Sequence, residues 1–589
     1  MIATRAELCE SGYVAMQGLI DSIGYSPTYA GWLLSGWLPV APQLAPSLPI
    51  ETLVADLQGK SAHFDTPILL AFCRRPEMSD KGVGVLCLIQ GGAEMADAMS
   101  AVTVRFGRTV FRMERAPGGV QLSEIEMIGH CRALLRESLA GHEAGLAAVF
   151  RADPFAGVST VEALPDYMRV GIDELIVLRP EGAVVIGWML AWPGSIASMA
   201  LCSEAGIRQI KPSRTIAFER PDVLEAGGRD KGFDDTRCGF VAYVDGDVQA
   251  GGPAWLRIET IDGRVAYATI PDRRLRGIRA IKRILGPLDV PTGDIRRVFD
   301  DVLGPACRLL NAEWIASPVS TTIIRFGPEV PGARGTIVIP LYSRLDYLEH
   351  QIAILASQPA TRPLWDICYI LDDPPRRQAA VTLAQSVYAR FGIGFSLIIM
   401  NENRGFASAC NVGLAGSKGE YVCFLNSDVF PVTADFADRL ADRLETIPGL
   451  AIAAGLLLFE DGSVQHEGMQ MQAVASQDGL AYPIHTRKGR RPRVAGLELC
   501  ESVTGACMTI RRDLAVQVGG FDEGFIIGDF EDADLCARVR AAGYTVAVDH
   551  SVQLFHLERQ SQAGPEQRWR RNMTTYNAWR FEHRHDANA

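Results

Sequence analysis

Cysteine-based metal motifs are absent from this sequence. Its 13 Cys residues are scattered from Cys9 to Cys536, none of them forms a C-x-x-C pair, and no group of His residues completes a zinc pattern. This distribution argues against a zinc module and favours buried free thiols in a reducing cytoplasm.

The chain also has little that predicts export or a membrane span. Its first ten residues lack the long apolar core of a signal peptide. Residues 29–50 and 182–203 carry no charge, but four prolines interrupt the first stretch and a Pro-Gly pair splits the second. We therefore expect a soluble cytoplasmic protein, with peripheral contact at the inner face of the membrane as an alternative.

Length and composition indicate several globular domains. A chain of 589 residues is too long for one domain, and its hydrophobic content of 48% supports large cores. The net charge of −11 argues against a general nucleic-acid binder, so no nucleic-acid partner is expected.

The texture of the sequence divides it into three parts. Residues 1–150 and 151–330 each show several strand-like runs followed by helical patterns, which predicts two β-sandwich-like accessory domains with helices and suggests a tandem duplication. The second part ends in a turn-rich linker. Residues 331–589 then alternate between strands and helices and form the third predicted domain.

The third part predicts a largely parallel sheet. Buried strands are expected near 336–341, 367–371, 395–400 and 420–425, with a helical segment after each of the first three. In such a β-α-β order, ligands bind at the carboxyl ends of the strands.

Polar residues follow several of these strand ends. Asp372 ends the second strand and is suited to accept hydrogen bonds from a base or ribose, although a solvated turn explains it as well. Asn403 and Gly405 lead from the third strand into a helix, where the backbone and the helix N-terminus favour an anion. Asn411 lies further along this element and is equally compatible with a packing role.

Acidic residues suggest a metal and a base. Asn426 and Asp428 follow the fourth strand, where a carboxylate can hold a divalent cation against a diphosphate; an ordinary turn is the alternative. Glu531 and Asp532 open a later helix and are suited either to helix capping or to general-base catalysis. His556 ends a late strand, where a buried structural His is the alternative to a metal ligand.

Taken together, these motifs resemble the family 2 glycosyltransferases with the GT-A fold. The resemblance covers residues 335 to about 580. It is carried, in order, by Pro340-Leu-Tyr-Ser, the acid after the second strand, the Asn-x-Gly-x-x-x-x-x-Asn-x-Gly element at 403–413, the Asp-x-Asp-like turn at 426–428, Thr504-Gly-Ala, Gly-Gly-Phe-Asp at 519–522, Glu-Asp-x-Asp-Leu at 531–535 and the final His556.

The resemblance implies a role for each matching position. Asp428 and His556 would bind Mg²⁺ or Mn²⁺, which would stabilise the departing nucleoside diphosphate. Asp532 would deprotonate the acceptor hydroxyl, with Glu531 orienting the acceptor or the base, and the anomeric configuration would invert. Asp372 would contact the nucleotide base. The other donor-binding positions are Pro340, Tyr342, Asn403, Gly405, Asn411 and Asn426.

The sequence departs from the family pattern at two places. Asn426 replaces the first acid of the metal motif, which leaves Asp428 as the main ligand. Asp372 continues into Asp-Pro-Pro rather than into small polar residues. The basic segment 485–493 is either an anion-attracting loop beside the site or a solvated loop. The basic helical pattern near Trp569 either lies on a membrane surface or packs on its own domain.

We therefore expect an inverting, metal-dependent hexosyl- or deoxyhexosyltransferase. Its donor would be a nucleotide-diphosphate sugar, and its acceptor a glycan or a lipid-linked glycan in surface polysaccharide biosynthesis. The alternatives are a catalytically degenerate carbohydrate-binding protein and an assembly protein, in which the N-terminal half organises partners or a homo-oligomer.

Overall fold

The computed structural model divides the chain into two compact units, Met1–Arg274 and Leu275–Ala589. It describes every residue except 1–6, 9–13, 28, 46–52, 60–62, 76–77, 79–80, 136, 140–145, 147–158, 166, 204–205, 230–231, 247, 249–253, 272–274, 359–363, 494–495, 558–566 and 586–589.

The first half of the N-terminal unit is a closed β-barrel followed by a helix, α1 (Glu124–Leu135). Its strands are β1 (Glu7–Leu8), β2 (Val14–Ser26), β3 (Gly31–Leu38), β4 (Leu53–Gln58), β5 (His63–Cys73), β6 (Val83–Gln90), β7 (Ala101–Phe106) and β8 (Thr109–Gln121). The strand order is β1-β2-β3-β6-β5-β4-β7-β8, and β8 pairs back onto β2. The sandwich predicted here is therefore wrong in detail: the long strand β2 bonds β3 on one side and β8 on the other, which closes the sheet.

The second half of the N-terminal unit is a β-sandwich, as the strand pattern predicted. One sheet has the order β13-β14-β10-β9 and the other β12-β11-β15-β16. The strands are β9 (Arg169–Leu178), β10 (Gly182–Leu190), β11 (Ile196–Ser203), β12 (Gly206–Gln209), β13 (Thr215–Phe218), β14 (Gly239–Asp245), β15 (Ala254–Thr260) and β16 (Val265–Thr269), with a one-turn helix, α2 (Pro221–Val223). Val185 from one sheet and Leu256 from the other belong to the same buried core.

The C-terminal unit begins with helices that the sequence pattern had placed in the second accessory domain. They are α3 (Gly277–Leu285), α4 (Ile295–Val298) and α5 (Gly304–Ile315), with a π-helical turn at Phe299–Leu303. The amide of Asn572 donates to the carbonyl oxygens of Leu285 and Leu288 at 2.7 and 2.9 Å. These helices therefore pack within the C-terminal unit, which starts at Leu275 rather than at the predicted residue 331.

The sheet of the C-terminal unit has a parallel half and a mixed half. Its order is β17-β20-β19-β18-β21-β28-β23-β29-β22, with β24 on β23 and β27 on β29. The strands are β17 (Thr321–Phe326), β18 (Gly335–Leu341), β19 (Trp365–Leu371), β20 (Phe395–Met400), β21 (Tyr421–Leu425), β22 (Val429–Pro431), β23 (Leu450–Leu458), β24 (Val464–His466), β27 (Leu497–Cys500), β28 (Cys507–Arg511) and β29 (Thr545–His556). The hairpin β25 (Met469–Ala473) and β26 (Ala481–His485) stands apart.

The parallel half forms as predicted. β20, β19, β18 and β21 are parallel neighbours, so the chain order reverses between β18 and β21, and ligands bind outside such a switch point. The strands are apolar on both faces because helices cover them. The helices of this part are α6 (Asp346–Ser357), α7 (Arg377–Phe391), α8 (Phe406–Gly416), α9 (Phe436–Thr446), α10 (Arg512–Gln517), α11 (Glu531–Ala541) and α12 (Gln567–His585).

Candidate active site

A cleft of about 890 Å³ opens at the carboxyl ends of the parallel strands. Since those ends meet at one edge of the sheet, polar residues that are distant in the sequence converge there. The predicted residues that line the cleft are Pro340, Tyr342, Asp372, Asn403, Gly405, Asn426, Asp428, Glu531, Asp532 and His556.

Asp428 and His556 meet through the pairing of two strands. Val429 lies opposite His556 in the antiparallel β22–β29 pair, and this register places Asp428 Oδ1 3.4 Å from His556 Nε2. The second ring nitrogen of His556, Nδ1, lies 2.6 Å from Oε1 of the buried Gln465, whose amide nitrogen also donates to the His556 carbonyl. Gln465 therefore fixes the orientation of the imidazole that faces Asp428.

Asn426 faces the cleft from the end of β21. Its Oδ1 is buried and has no hydrogen-bond partner within the described residues. A buried amide oxygen without a partner is uncommon in a folded protein, and it offers an acceptor to a ligand or an ion.

Asp372 supports the loop that follows β20. One carboxylate oxygen accepts from the backbone N–H of Arg404 and the other from that of Gly405, each at 2.7 Å. Burial raises the pKa of Asp372 to about 7, although the two amide hydrogen bonds oppose that shift. The direct neighbours of Asp372 are thus backbone amides, and through them it shapes the cleft wall.

Gly405 is required by a close approach of two backbone segments. Its φ is +88°, and a Cβ there would lie 2.4 Å from the carbonyl oxygen of Ile527. The N–H of Phe406 donates to that same oxygen at 2.7 Å. Gly405 was predicted to let the backbone approach a ligand. In the structure, its lack of a side chain allows the backbone to pack against Ile527.

Asp532 lies at the start of α11 and is partly exposed to the cleft. Its Oδ2 accepts from the N–H of Gly505 at 3.0 Å and its Oδ1 from that of Ala533 at 2.7 Å. Burial raises the pKa of Asp532 above its ordinary value, and these hydrogen bonds counteract part of the shift. A fixed carboxylate of raised pKa suits proton abstraction near neutral pH.

Glu531 is buried beside it, with 6% of its surface exposed. Its Oε2 has no hydrogen-bond partner among the described residues, and burial followed by the charges of Asp532 and Asp529 raises its pKa well above the usual value. The residues before the helix are strained: Ile527, Asp529 and Phe530 have φ values of 63°, 81° and 78°. Left-handed backbone at non-glycine residues is costly and concentrates at functional sites.

Asn411 lies outside the cleft lining, unlike the other predicted positions. Its amide nitrogen donates to the carbonyl oxygen of Phe521 and to Glu523, and its Oδ1 accepts from the N–H of Phe521. It ties α8 to the Gly-Gly-Phe-Asp segment, which is the packing role that the sequence left open.

Residues of α3 and α12, for which the sequence predicted no site role, also line the cleft. Lys282 of α3 and Trp569, Met573 and Thr574 of α12 line it, and Thr574 donates to Asp529 at 2.8 Å. Trp569 and Met573 are buried within the C-terminal unit, so this face of the basic helix packs on its own domain. The amphipathic pattern of α12 predicts that one face of the helix is buried, but it does not indicate which surface that face covers.

The sequence analysis assigned no role to His466, which lies behind the cleft residues His485 and Thr504. The buried His466 accepts at Nε2 from the N–H of Thr504 at 3.3 Å, and its Nδ1 lies 3.0 Å from Nδ1 of His485. Burial lowers the pKa of His466 well below its ordinary value, so the ring is neutral. From the predicted basic segment, His485 and Lys488 reach the cleft.

Open α/β sheets bind their ligands outside the carboxyl ends of the strands at such a switch point, where the carboxylates of this unit gather. Residues 336–517 match the family described as "Glycosyl transferase family 2". The C-terminal unit therefore carries a family 2 glycosyltransferase domain, and the GT-A fold expected for this region is supported.

Curated relatives share parts of the chain. O-antigen biosynthesis protein RfbC of Myxococcus xanthus is 25% identical over 379 residues, which are 62% of this chain and 27% of the relative. N-acetylglucosaminyl-diphospho-decaprenol L-rhamnosyltransferase of Mycobacterium tuberculosis is 29% identical over 185 residues, 28% of this chain and 59% of the relative. An uncharacterized protein, y4gI, of Sinorhizobium fredii is 32% identical over 170 residues, 28% of this chain and 18% of the relative. The chain thus spans between 18% and 59% of the length of these relatives.

Solved structures show a weak likeness. The mannosyltransferase PcManGT from Pyrobaculum calidifontis, in complex with GDP-Man and Mn²⁺, is 14% identical with a TM-score of 0.29 over 49% of this chain and 84% of that chain. GalNAc-T7 with UDP, GalNAc and Mn²⁺ is 13% identical with a TM-score of 0.32 over 42% of this chain and 47% of that chain. Likeness at this level supports no conclusion about ligands. Among the described helices, none is long and apolar enough to cross a membrane.

Proposed function

We propose that the C-terminal unit transfers a sugar from a nucleotide-diphosphate sugar to a glycan or glycolipid acceptor, with inversion at the anomeric carbon. The observation that carries the proposal is the convergence of Asp428, His556 and Asp532 in one cleft at the switch point of a family 2 domain. Relatives named for O-antigen biosynthesis and rhamnosyl transfer favour a surface polysaccharide or glycolipid as the product.

A divalent cation, Mg²⁺ or Mn²⁺, fits the donor set at the end of β21. Two ligands that each lie about 2.1 Å from one ion are about 3.0 to 3.4 Å apart, depending on the geometry. Asp428 Oδ1 and His556 Nε2 lie 3.4 Å apart, and Asn426, whose buried Oδ1 has no hydrogen-bond partner among the described residues, lines the same cleft. When bound, the ion would stabilise negative charge on the leaving diphosphate.

The acceptor side of the reaction is assigned to α11. Asp532 removes the proton from the acceptor hydroxyl as the oxygen attacks the anomeric carbon, and the bond from that carbon to the diphosphate oxygen breaks on the opposite face. Glu531 is buried, and its Oε2 has no hydrogen-bond partner among the described residues. Burial raises its pKa well above the usual value, and we propose that it is protonated and orients the acceptor by donating a hydrogen bond. The raised pKa of Asp532 suits it to receive the proton.

The donor side is assigned to the strand ends. Asp372 holds the backbone of Arg404 and Gly405, which places Asn403 beside the nucleotide, while Pro340 and Tyr342 line the same wall. We propose that reaction takes place in the cytoplasm, and that the barrel and the sandwich serve as accessory domains in glycan binding or assembly.

Thermal-shift screening of the full chain tests the proposal. A nucleotide sugar that binds the native state raises the melting temperature by mass action, and the shift should grow when Mn²⁺ is added. The same preparation should release the nucleoside diphosphate when acceptor is supplied. If no nucleotide sugar shifts the transition in a metal-dependent way, the proposal is wrong.

A further inference from the structure

We infer that the C-terminal unit contains a second metal site, suited to Zn²⁺, formed by Glu467, Glu498 and His550. The imidazole Nε2 of His550 lies 3.5 Å from Glu467 Oε1 and 3.7 Å from Glu498 Oε2. The three ligand atoms all lie within 4.8 Å of one another.

The distances from His550 Nε2 to the two carboxylates, 3.5 and 3.7 Å, are close to those between two ligands of one ion. Donors of a tetrahedral Zn²⁺ site, each about 2.0 to 2.1 Å from the ion, are about 3.3 to 3.4 Å apart. A distance of 3.5 Å between the imidazole and Glu467 is too long for a directed hydrogen bond. One imidazole with two carboxylates is a ligand set that zinc accepts.

Two buried polar atoms of the cluster face each other. His550 and Glu467 are each 2% exposed, and neither His550 Nε2 nor Glu467 Oε1 has a hydrogen-bond partner within the described residues. Buried polar atoms seldom lack a hydrogen bond, so two that face each other at 3.5 Å are suited to share one ion.

Strand pairing assembles these ligands. Glu498 on β27 lies opposite Val548 on β29, the strand that carries His550, and Glu467 follows β24 directly. No local spacing motif results, because each ligand comes from a different segment. The sequence therefore shows no zinc-binding pattern at these residues.

Arg493 competes for the same carboxylates. Its guanidinium contacts Glu498, and its Nε lies 3.2 Å from Glu467 Oε1 without forming a directed hydrogen bond. The Arg493 side chain is 42% exposed, so it can turn into water and leave the carboxylates to the ion. Arg487 Nε donates a hydrogen bond to Glu467 Oε2. One positive charge therefore stays beside the cluster whether or not the ion is bound.

The site would anchor the segment that brings two residues to the catalytic cleft. Thr486 donates to the Glu467 carbonyl at 2.9 Å, and its neighbours His485 and Lys488 line the cleft. A filled site would therefore hold this cleft wall in place without contacting the reacting groups.

Zinc binding to the full chain tests the inference, with Zn²⁺ alone followed by isothermal titration calorimetry. The Asp428→Asn/His556→Ala variant should still bind one Zn²⁺, because the proposed donor-metal site is separate. His550→Ala should lose this ion, with affinity at least 100-fold weaker, while His63→Ala, an exposed control on β5, should bind as the wild type does. A far-UV circular dichroism spectrum that matches the wild type establishes that His550→Ala is folded.

Two milder variants keep the test decisive if His550→Ala does not fold. Glu498→Gln, at the half-exposed edge of the cluster, should weaken Zn²⁺ binding about 10- to 100-fold. Arg493→Gln removes the competing cation and should strengthen it. The inference is overturned if the Asp428→Asn/His556→Ala variant binds no Zn²⁺, if a folded His550→Ala retains the ion, or if Arg493→Gln weakens binding.

Discussion

Asp428 and His556 lie side by side because Val429 and His556 are opposite each other in a three-residue strand pair. The main chain closes the same junction, since the N–H of Leu557 donates to the Asp428 carbonyl at 3.0 Å. The metal-binding role proposed for this pair therefore depends on backbone register and on Gln465, which holds the far side of the imidazole.

Replacing Gln465 should weaken metal binding at Asp428 and His556, although Gln465 is not itself a proposed ligand. In Gln465→Ala, the His556 ring loses the partner at Nδ1 and turns more freely, so affinity for Mn²⁺ should fall about 10- to 100-fold. Mn²⁺ titration of the transfer rate measures the change. Gln470→Ala, at an exposed position on β25, serves as the control and should titrate as the wild type does. A wild-type Mn²⁺ affinity in Gln465→Ala would contradict the proposed site.

The two adjacent acids of α11 should respond differently to amide substitution. Asp532→Asn removes the proposed base, so kcat should fall by about 10² to 10⁴ while donor affinity is kept. Glu531 is proposed to be neutral already, so Glu531→Gln preserves shape and hydrogen-bonding capacity and should cost about tenfold or less in kcat. Steady-state kinetics and donor titration separate the two effects. Asp513→Asn, on the surface of α10, is the matched control. Equal losses in the two variants would contradict the assignment.

Asp372 should make the stability of the C-terminal unit depend on pH. Its folded-state pKa of about 7 lies above the unfolded value of about 3.9, so the native state binds the proton more tightly. The contribution of this protonation to the free energy of unfolding is full below about pH 4 and is lost as the pH rises to about 7. Its size is at most about 4 kcal/mol. Urea unfolding of the wild type and of Asp372→Asn between pH 4 and 8 checks this. The free energy of unfolding of the wild type should decline relative to the variant over that range and then level off. Parallel curves would contradict the prediction.

The sequence predicted the residues at the ends of parallel strands well. Asp372, Asn403 and Asn426 each follow a strand of the parallel half, and the geometry of a parallel sheet brings such ends together. A run of buried residues with a polar exit was enough to place them. The position of a residue at the end of a parallel strand follows from the chain order and does not depend on how side chains pack.

Other features depend on pairings between distant segments. The sequence does not reveal that β2 bonds both β3 and β8, so the barrel was expected to be a sandwich. The apolar faces of α3 and α5 indicate burial but not against which domain. Asn411 fits both a ligand and a loop anchor, and only the position of Phe521 distinguishes the two.

Gly405→Ala should damage the cleft from a position that carries no functional side chain. An added Cβ would lie 2.4 Å from the Ile527 carbonyl oxygen and 2.6 Å from its Cα, and the φ of +88° is unfavourable for alanine. Either the 403–405 loop or the 527–530 segment must shift, and these segments hold or adjoin Asn403, proposed to contact the donor, and Glu531, proposed to orient the acceptor. We expect a loss of about 1 to 3 kcal/mol in stability and weaker donor binding.

Gly416→Ala at the end of the same helix provides the comparison. A Cβ there meets Ile398 Cδ1 at 3.7 Å, an ordinary contact, so alanine should be neutral or should stabilise the helix by up to about 1 kcal/mol. Melting temperature and donor titration of the two variants separate the effect of alanine in α8 from the effect of the close approach. If Gly405→Ala binds the donor as tightly as Gly416→Ala does, contact with Ile527 does not position the donor site.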